Sequence, residues 1–323
     1  MSEALAHPVT RLIVGAVVLV LVVSLIAIGA ITLLGRGTPA LRRELWLRLG
    51  TWCLLLPLMI GPVLWGRVPT IIAVTLLSLL CYREFARATG LFREHVVSAT
   101  VVAAIVLVNF AALDHWYGFF VALGPLSACV IAVSSIPLDR PSGYVQRTGL
   151  ALLGFMLFGM GLSHLGYMAN DPNYRPIVLL LITAVALNDV AAFTCGKLFG
   201  RRKLVPATSP GKTIAGSLGA VLVVAPIVGF LTGLIYLGTP MDRFWLLLGF
   251  GVLVSVAGQA GDLMLSSIKR DIGIKDMGAA LPGHGGVLDR YNSLLLVAPA
   301  AFHTIGYFVG FGLDTPARLI TGG

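Results

Sequence analysis

Long apolar runs alternate with short polar ones along this chain. Runs of about 17–25 residues, enough to cross a bilayer as a helix, lie near 12–35, 96–113, 118–136, 148–168, 177–199, 217–237, 244–265 and 294–312. Two shorter runs, 51–66 and 68–82, are separated only around Arg67 and a proline. They read as short tilted spans or as a re-entrant pair, and either choice returns the chain to the side it left. The pattern predicts an all-α, polytopic integral membrane protein with about nine or ten transmembrane helices, since helices satisfy every backbone group inside lipid.

Composition removes the soluble alternative. The chain is 57% hydrophobic and 11% charged, against about 25% charged in soluble domains. The first run is too long and apolar for a cleaved signal region and reads as a retained span. Cys53, Cys81, Cys129 and Cys195 lie in or at the end of apolar runs without CxxC spacing. They read as small core residues.

Charge sets an expected orientation. Basic residues stay on the cytoplasmic side of short loops. Alternation groups 36–50, 83–95, 137–147, 197–216 and 268–292, which carry 18 of the 23 Lys and Arg; Arg11, Arg67, Arg175, Arg243 and Arg318 fall outside. The net charge of +9 is thereby gathered on one membrane face, expected to be cytoplasmic, at the inner membrane if the cell is bacterial. Such a face suits anionic head groups and polyanionic cytosolic ligands.

Organisation is uneven. Residues 1–175 are spans joined by simple basic loops. Residues 176–323 hold two polar stretches, 188–216 and 258–293, within one continuous membrane domain. On a helix, Asp262, Ser266, Lys269 and Arg270 share one face leading from membrane depth to the surface. An acid on such a face is a functional hypothesis by default, with packing against a neighbouring helix as the plain alternative. The glycines at 283, 285 and 286 permit the close backbone approach and positive φ of a phosphate-cradling turn. His284, set among them and five residues before Asp289, reads as a phosphate donor.

In the earlier stretch Asp189 lies inside a span with Lys197 two turns along the same face, so the two acid–base partners can neutralise each other. "SPGKT" at 209–213 is not a nucleotide P-loop, because Pro206 stands where that motif needs its first glycine and no strand is expected before it. Ser209 as N-cap and Pro210 at the first helical position instead predict a helix whose free amides, with Lys212, form an anion site. Aspartates, glycine turns and a ring of Lys and Arg point to a magnesium ion held by one or two carboxylates with substrate phosphates. The reaction class that fits is phosphoryl or nucleotidyl transfer at the membrane surface.

These residues resemble a known family. "SSIKRDIGIKDMGAALPGHGGVLDRYNS" is similar to the signature of phosphatidate cytidylyltransferases: S-x-x-K-R, K-D, then L-P-G-H-G-G-x-L-D-R. The "GD" at 261–262 and the "GKLFGRRKLVPATSPGKT" block match as well. The resemblance implies transfer of CMP from CTP to phosphatidate, giving CDP-diacylglycerol and pyrophosphate, with magnesium. It implies Asp262 and Asp289 as cation ligands, and Lys269, Arg270, Lys275, His284 and Arg290 as groups that neutralise or position phosphates. Ser209, Lys212 and Thr213 fall on the phosphate side of the pocket. Asp189, Ser266, Asp276, Gly285, Gly286 and Asn292 complete the expected substrate surface.

Two positions depart from the family pattern: Ala215 stands where K-T-x-E-G has glutamate, and Asn292 where D-R-x-D-S has a third aspartate. Both remove negative charge. A neutral Asn292 also suits a monovalent cation beside magnesium. The expected partners are CTP, phosphatidate or a related lipid phosphate, membrane lipids and a second copy of the chain in a homo-oligomer, with no nucleic acid. A divergent or inactive relative with another lipid or nucleotide is a second reading. A transporter is a third, disfavoured because the motifs cluster toward one face and no repeated half is visible.

Overall fold

The computed structural model describes residues 3–281, 285–311 and 318–322. Among them are nine helical spans long and apolar enough to cross a membrane. They are α1 (Pro8–Leu33), α2 (Pro39–Trp65), α3 (Arg67–Thr89), α4 (His95–Leu113), α5 (Tyr117–Ser134), a composite span over Tyr144–Asn170, α8 (Tyr174–Phe199), α9 (Ile214–Ile235) and α10 (Phe244–Asp271). The composite span runs α6 (Tyr144–Gly154), a π-helical stretch (Phe155–Gly161), α7 (Leu162–Tyr167) and a final 3₁₀ turn. A four-residue α11 (Leu288–Tyr291) and the apolar α12 (Leu294–Phe308) follow.

The two short apolar runs are halves of full-length spans. Thr38 caps α2, accepting from Leu41 N, and the charged stretch 39–50 forms its first turns, with Arg48 paired to Glu44 at 2.5 Å. Helix α3 runs on to Thr89 and stops at Gly90, whose φ of +79° ends the helix in the left-handed region. Neither the 36–50 nor the 83–95 stretch is therefore simply a loop.

Polar contacts mark the two ends of the bundle. At one end Arg67 donates to Asn170 Oδ1 at 2.6 Å and to Leu113 O at 2.5 Å, and Asp114 accepts from Ile320 N and Thr321 N. At the other, Arg147 lies 3.8 Å from Glu94 and Glu84 meets Val287 and Leu288. One hydrophobic core runs from Val9 to Phe311.

The motif-bearing helices pack most closely. In lipid, helices associate through small residues that let backbones approach. A Cβ on Gly251 of α10 would fall 2.1 Å from Ala225 O of α9, and one on Gly216 of α9 would fall 2.5 Å from Ala192 O of α8. Only glycine fits either contact. Above the α8–α9 junction a short antiparallel hairpin, β1 (Lys203–Val205) and β2 (Ser209–Thr213), pairs Lys203 with Thr213 and Val205 with Ser209. It is an addition to the otherwise helical frame.

Candidate active site

The hairpin delivers Lys212. Thr213, not Ser209, is the N-cap of α9: its hydroxyl accepts from Gly216 N at 3.0 Å. Ser209 and Pro210 lie in β2, because Lys203–Val205 offers them a strand partner before the helix begins. The helix-start anion site expected at Ser209 is thus absent. A strand does precede "SPGKT", but it pairs back on it instead of feeding a helix. What survives is Lys212, which forms an ion pair with Asp262 Oδ2 on α10.

The other oxygen of Asp262 accepts from Asn292 Nδ2 at 2.5 Å. Asn292 Oδ1 accepts from Ser293 N at 2.8 Å. An amide can satisfy both contacts in only one orientation, with its nitrogen toward the carboxylate. Asn292 is buried and acts here as a donor to Asp262. Asp189 on α8 is exposed and lies within electrostatic reach of Asp262, Lys212 and Arg290. Lys197 does not neutralise it; its ammonium sits 5.2 Å from the centre of the Phe193 ring.

Next to this cluster polar groups tie three helices together. Ser255 donates to Asn188 at 2.5 Å, and Gln259 reaches Ser255 and the Ser217 carbonyl. Such cross-helix bonds hold the faces carrying Asp189, Asp262 and Lys212 in register.

The loop after α10 is anchored by two carboxylates. Asp289, whose side chain is 3% exposed, accepts from Lys269 Nζ at 2.8 Å, Met277 N at 2.8 Å and Gly286 N at 3.0 Å. Asp289, expected as a cation ligand, is buried, because the loop folds around it. Glu84, from α3, accepts from Val287 N at 3.0 Å and Leu288 N at 2.8 Å. The amides of Gly286, Val287 and Leu288 therefore serve the chain's own carboxylates, and the phosphate cradle expected at Gly286 is not open there. Gly285 does take a positive φ, +77°. Burial, and secondarily Cys81, pushes the Tyr291 phenol well above its usual range, so it stays protonated.

The remaining expected residues divide. Arg270 donates to Thr208 O at 3.3 Å and Ile274 O at 3.2 Å, pinning the hairpin to the end of α10. Ser266 is half-buried one turn beyond Asp262, and Lys275, Asp276 and Arg290 are exposed. His284 lies outside the described residues. Glu84 was not among the residues singled out from sequence. Its signal was an acid set between Arg83 and Arg87 at the end of an apolar helix.

A magnesium ion fits this chemistry. Magnesium takes one or two carboxylates and completes its shell with phosphates and water. Asp262 and Asp189, within electrostatic reach of each other, would supply the two acids, Asp262 by exchanging Lys212 for the ion, and no cluster of three or more His, Cys, Asp or Glu suited to a metal occurs among the described residues. Asp289 would join only by giving up Lys269.

A cluster of paired acids and bases lies at one end of a polytopic helical frame that is long and apolar enough to cross a membrane. Residues 46–308 match the cytidylyltransferase family, and the chain belongs to that family. It is 31% identical over 269 residues to the uncharacterized Escherichia coli (strain K12) protein YnbB, covering 82% of this chain and 88% of that protein. It is 40% identical over 169 residues to the phosphatidate cytidylyltransferase of Helicobacter pylori, covering 52% and 61%. It is 35% identical over 175 residues to that of Staphylococcus haemolyticus, covering 53% and 65%. The matched stretch is less than two thirds of the length of each of these two enzymes.

Proposed function

We propose that the protein transfers CMP from CTP to a membrane lipid phosphate, phosphatidate or a close analogue, releasing pyrophosphate. The observation that carries this reading is the Lys212–Asp262–Asn292 cluster with Asp189 at its edge. Asp189 is followed by Val190 and Phe193, 62% and 67% exposed on a membrane helix, so the cluster borders lipid. A phosphate on a lipid and a triphosphate from water can meet there.

A lipid phosphate oxygen attacks the α-phosphorus of CTP, a P–O bond forms, and the bond to pyrophosphate breaks. The nucleophile is already anionic and needs no strong base, so positioning and charge neutralisation are the protein's task. Lys212 and Arg290, both within electrostatic reach of Asp189, are the cations that neutralise phosphate oxygens. Lys269 and Arg270 act one step removed, Lys269 through Asp289 and Arg270 through the hairpin. Asp262 and Asp189 would hold magnesium, which supplies charge screening between the two substrates. The motif end is the cytosolic one on this reading, since it carries 18 of 23 basic residues.

Purified protein given labelled CTP, phosphatidate and magnesium should yield a lipid-soluble cytidylyl product. Absence of product with phosphatidate, but product with another lipid phosphate, would move the acceptor and leave the reaction class. The departure at Asn292 makes that second arm worth running. Absence with every acceptor would end the proposal. Cysteines at Lys203 and Lys275, in a chain lacking its native cysteines, should meet an impermeant thiol reagent only after the membrane is opened. Labelling in intact cells would reverse the orientation.

A further inference from the structure

We infer that Glu84, far from the signature in sequence, is a positioning residue that holds the signature loop in its working shape. The inference rests on the cytidylyl-transfer reading for its meaning, though not for its geometry. Glu84 spends both carboxylate oxygens on the loop: Oε1 takes Val287 N at 3.0 Å and Oε2 takes Leu288 N at 2.8 Å. Those amides open α11, the turn that carries Asp289, Arg290 and, one residue on, Asn292. Asp289 reaches backward to Met277 and Gly286, so the loop is gripped on two adjacent sides by two acids.

The fit leaves no slack on the side of Glu84. A Cβ on Gly278 would meet Glu84 Oε1 at 2.7 Å, Cδ at 2.9 Å and Cγ at 3.3 Å, and one on Gly286 would meet Oε2 at 2.4 Å. The glycines at 278 and 286 are therefore the seat of this side chain. Next to it lies a cavity of about 350 Å³ bordered by Arg83, Arg87 and residues 277–280. The loop has room to move once the carboxylate lets go. Glu84 touches Val287 and Leu288, not the Lys212–Asp262 cleft, so its effect on catalysis passes through the placement of Asp289, Arg290 and Asn292.

The test is a set of variants read in two ways. Glu84→Gln keeps one acceptor but turns an amide N–H toward the second backbone N–H, so one bond becomes a repulsion. It should lower kcat at least tenfold while leaving KM for CTP and lipid within about twofold, as expected when transition-state placement is lost and ground-state binding is kept. Gly278→Ala should do the same in the wild-type background, yet add less than about twofold in a Glu84→Ala background, where its only clash is gone. An unchanged kcat in Glu84→Gln, or equal penalties for Gly278→Ala in both backgrounds, would overturn the inference. The second readout needs no reaction. Met277 is buried, and Met277→Cys, with Cys53, Cys129 and Cys195 replaced, should label slowly beside Glu84 and at least tenfold faster beside Glu84→Gln. Equal labelling rates would refute the positioning role. If the wild type makes no cytidylyl product, the proposed function fails and the labelling alone decides this inference.

Discussion

Replacing Asp289 by Ala should unfold the signature loop as well as abolish activity. The side chain is 3% exposed and accepts three hydrogen bonds, from Lys269, Met277 N and Gly286 N. A buried donor left without an acceptor costs about 1–3 kcal/mol, and two backbone donors are orphaned here. The Lys269 ammonium, only 12% exposed, also loses its partner, and breaking such a pair from one side costs about 3–5 kcal/mol. The low ends of these ranges together come to about 5 kcal/mol, comparable with the whole stability of many domains. The three groups share one loop that can relax toward water, so the losses will not fully add, and about 3 kcal/mol is the floor. By the scaling of larger soluble domains that lowers the unfolding midpoint by at least about 6 °C. Thermal unfolding of the detergent-solubilised protein, followed by tryptophan fluorescence, measures it. Asp289→Asn keeps an oxygen for the amides while losing the ion pair, and should fall between. A midpoint for Asp289→Ala within about 2 °C of wild type would refute the reasoning.

Asn292→Asp replaces the amide donor on Asp262 with a second carboxylate, so the magnesium concentration for half-maximal activity should fall with the product unchanged; loss of an activity that the wild type has would mean Asn292 serves a different substrate. Lys212→Met leaves Asp262 without its cation and removes the ammonium proposed to neutralise phosphate, and turnover should drop by about a hundredfold or more; turnover within threefold of wild type would remove Lys212 from the site. Gly251→Ala drives a methyl against the Ala225 carbonyl and should destabilise the α9–α10 pair by about 2 kcal/mol or more, seen as a lower unfolding midpoint, and an unchanged midpoint would show that the two helices are free to separate.

The spans were legible because length and apolarity are properties of one segment at a time. Their starts were less so: 39–50 carries four charges and reads as loop, yet Thr38 caps it into α2. The hairpin was misread because Ser209-Pro210 is also a good helix start. The competing signal, Thr213 three residues before Gly216, became decisive only once β1 lay alongside. At the site, Asp262 and Lys212 were visible as residues but not as a pair, since their contact joins the hairpin to α10. Asp289 was identified and its burial was not, because burial depends on contacts with Met277, Gly286 and Lys269 that no single segment shows. Glu84 was missed for the same reason: its partners lie 203 and 204 residues away, and nothing in a single sequence links them.

That separation orders events during synthesis. A ribosome adds about 5–20 residues per second, so α3 precedes its loop by about ten to forty seconds. Through that interval Glu84 stands at the end of a completed helix with no backbone amides to receive. Contacts of such long range come late and make folding slow, and here they close the site itself. The Lys212–Asp262–Asn292 cluster can be completed only after nearly the whole bundle is in the membrane, so a chain stalled before Leu288 would hold most of its spans and no organised signature loop.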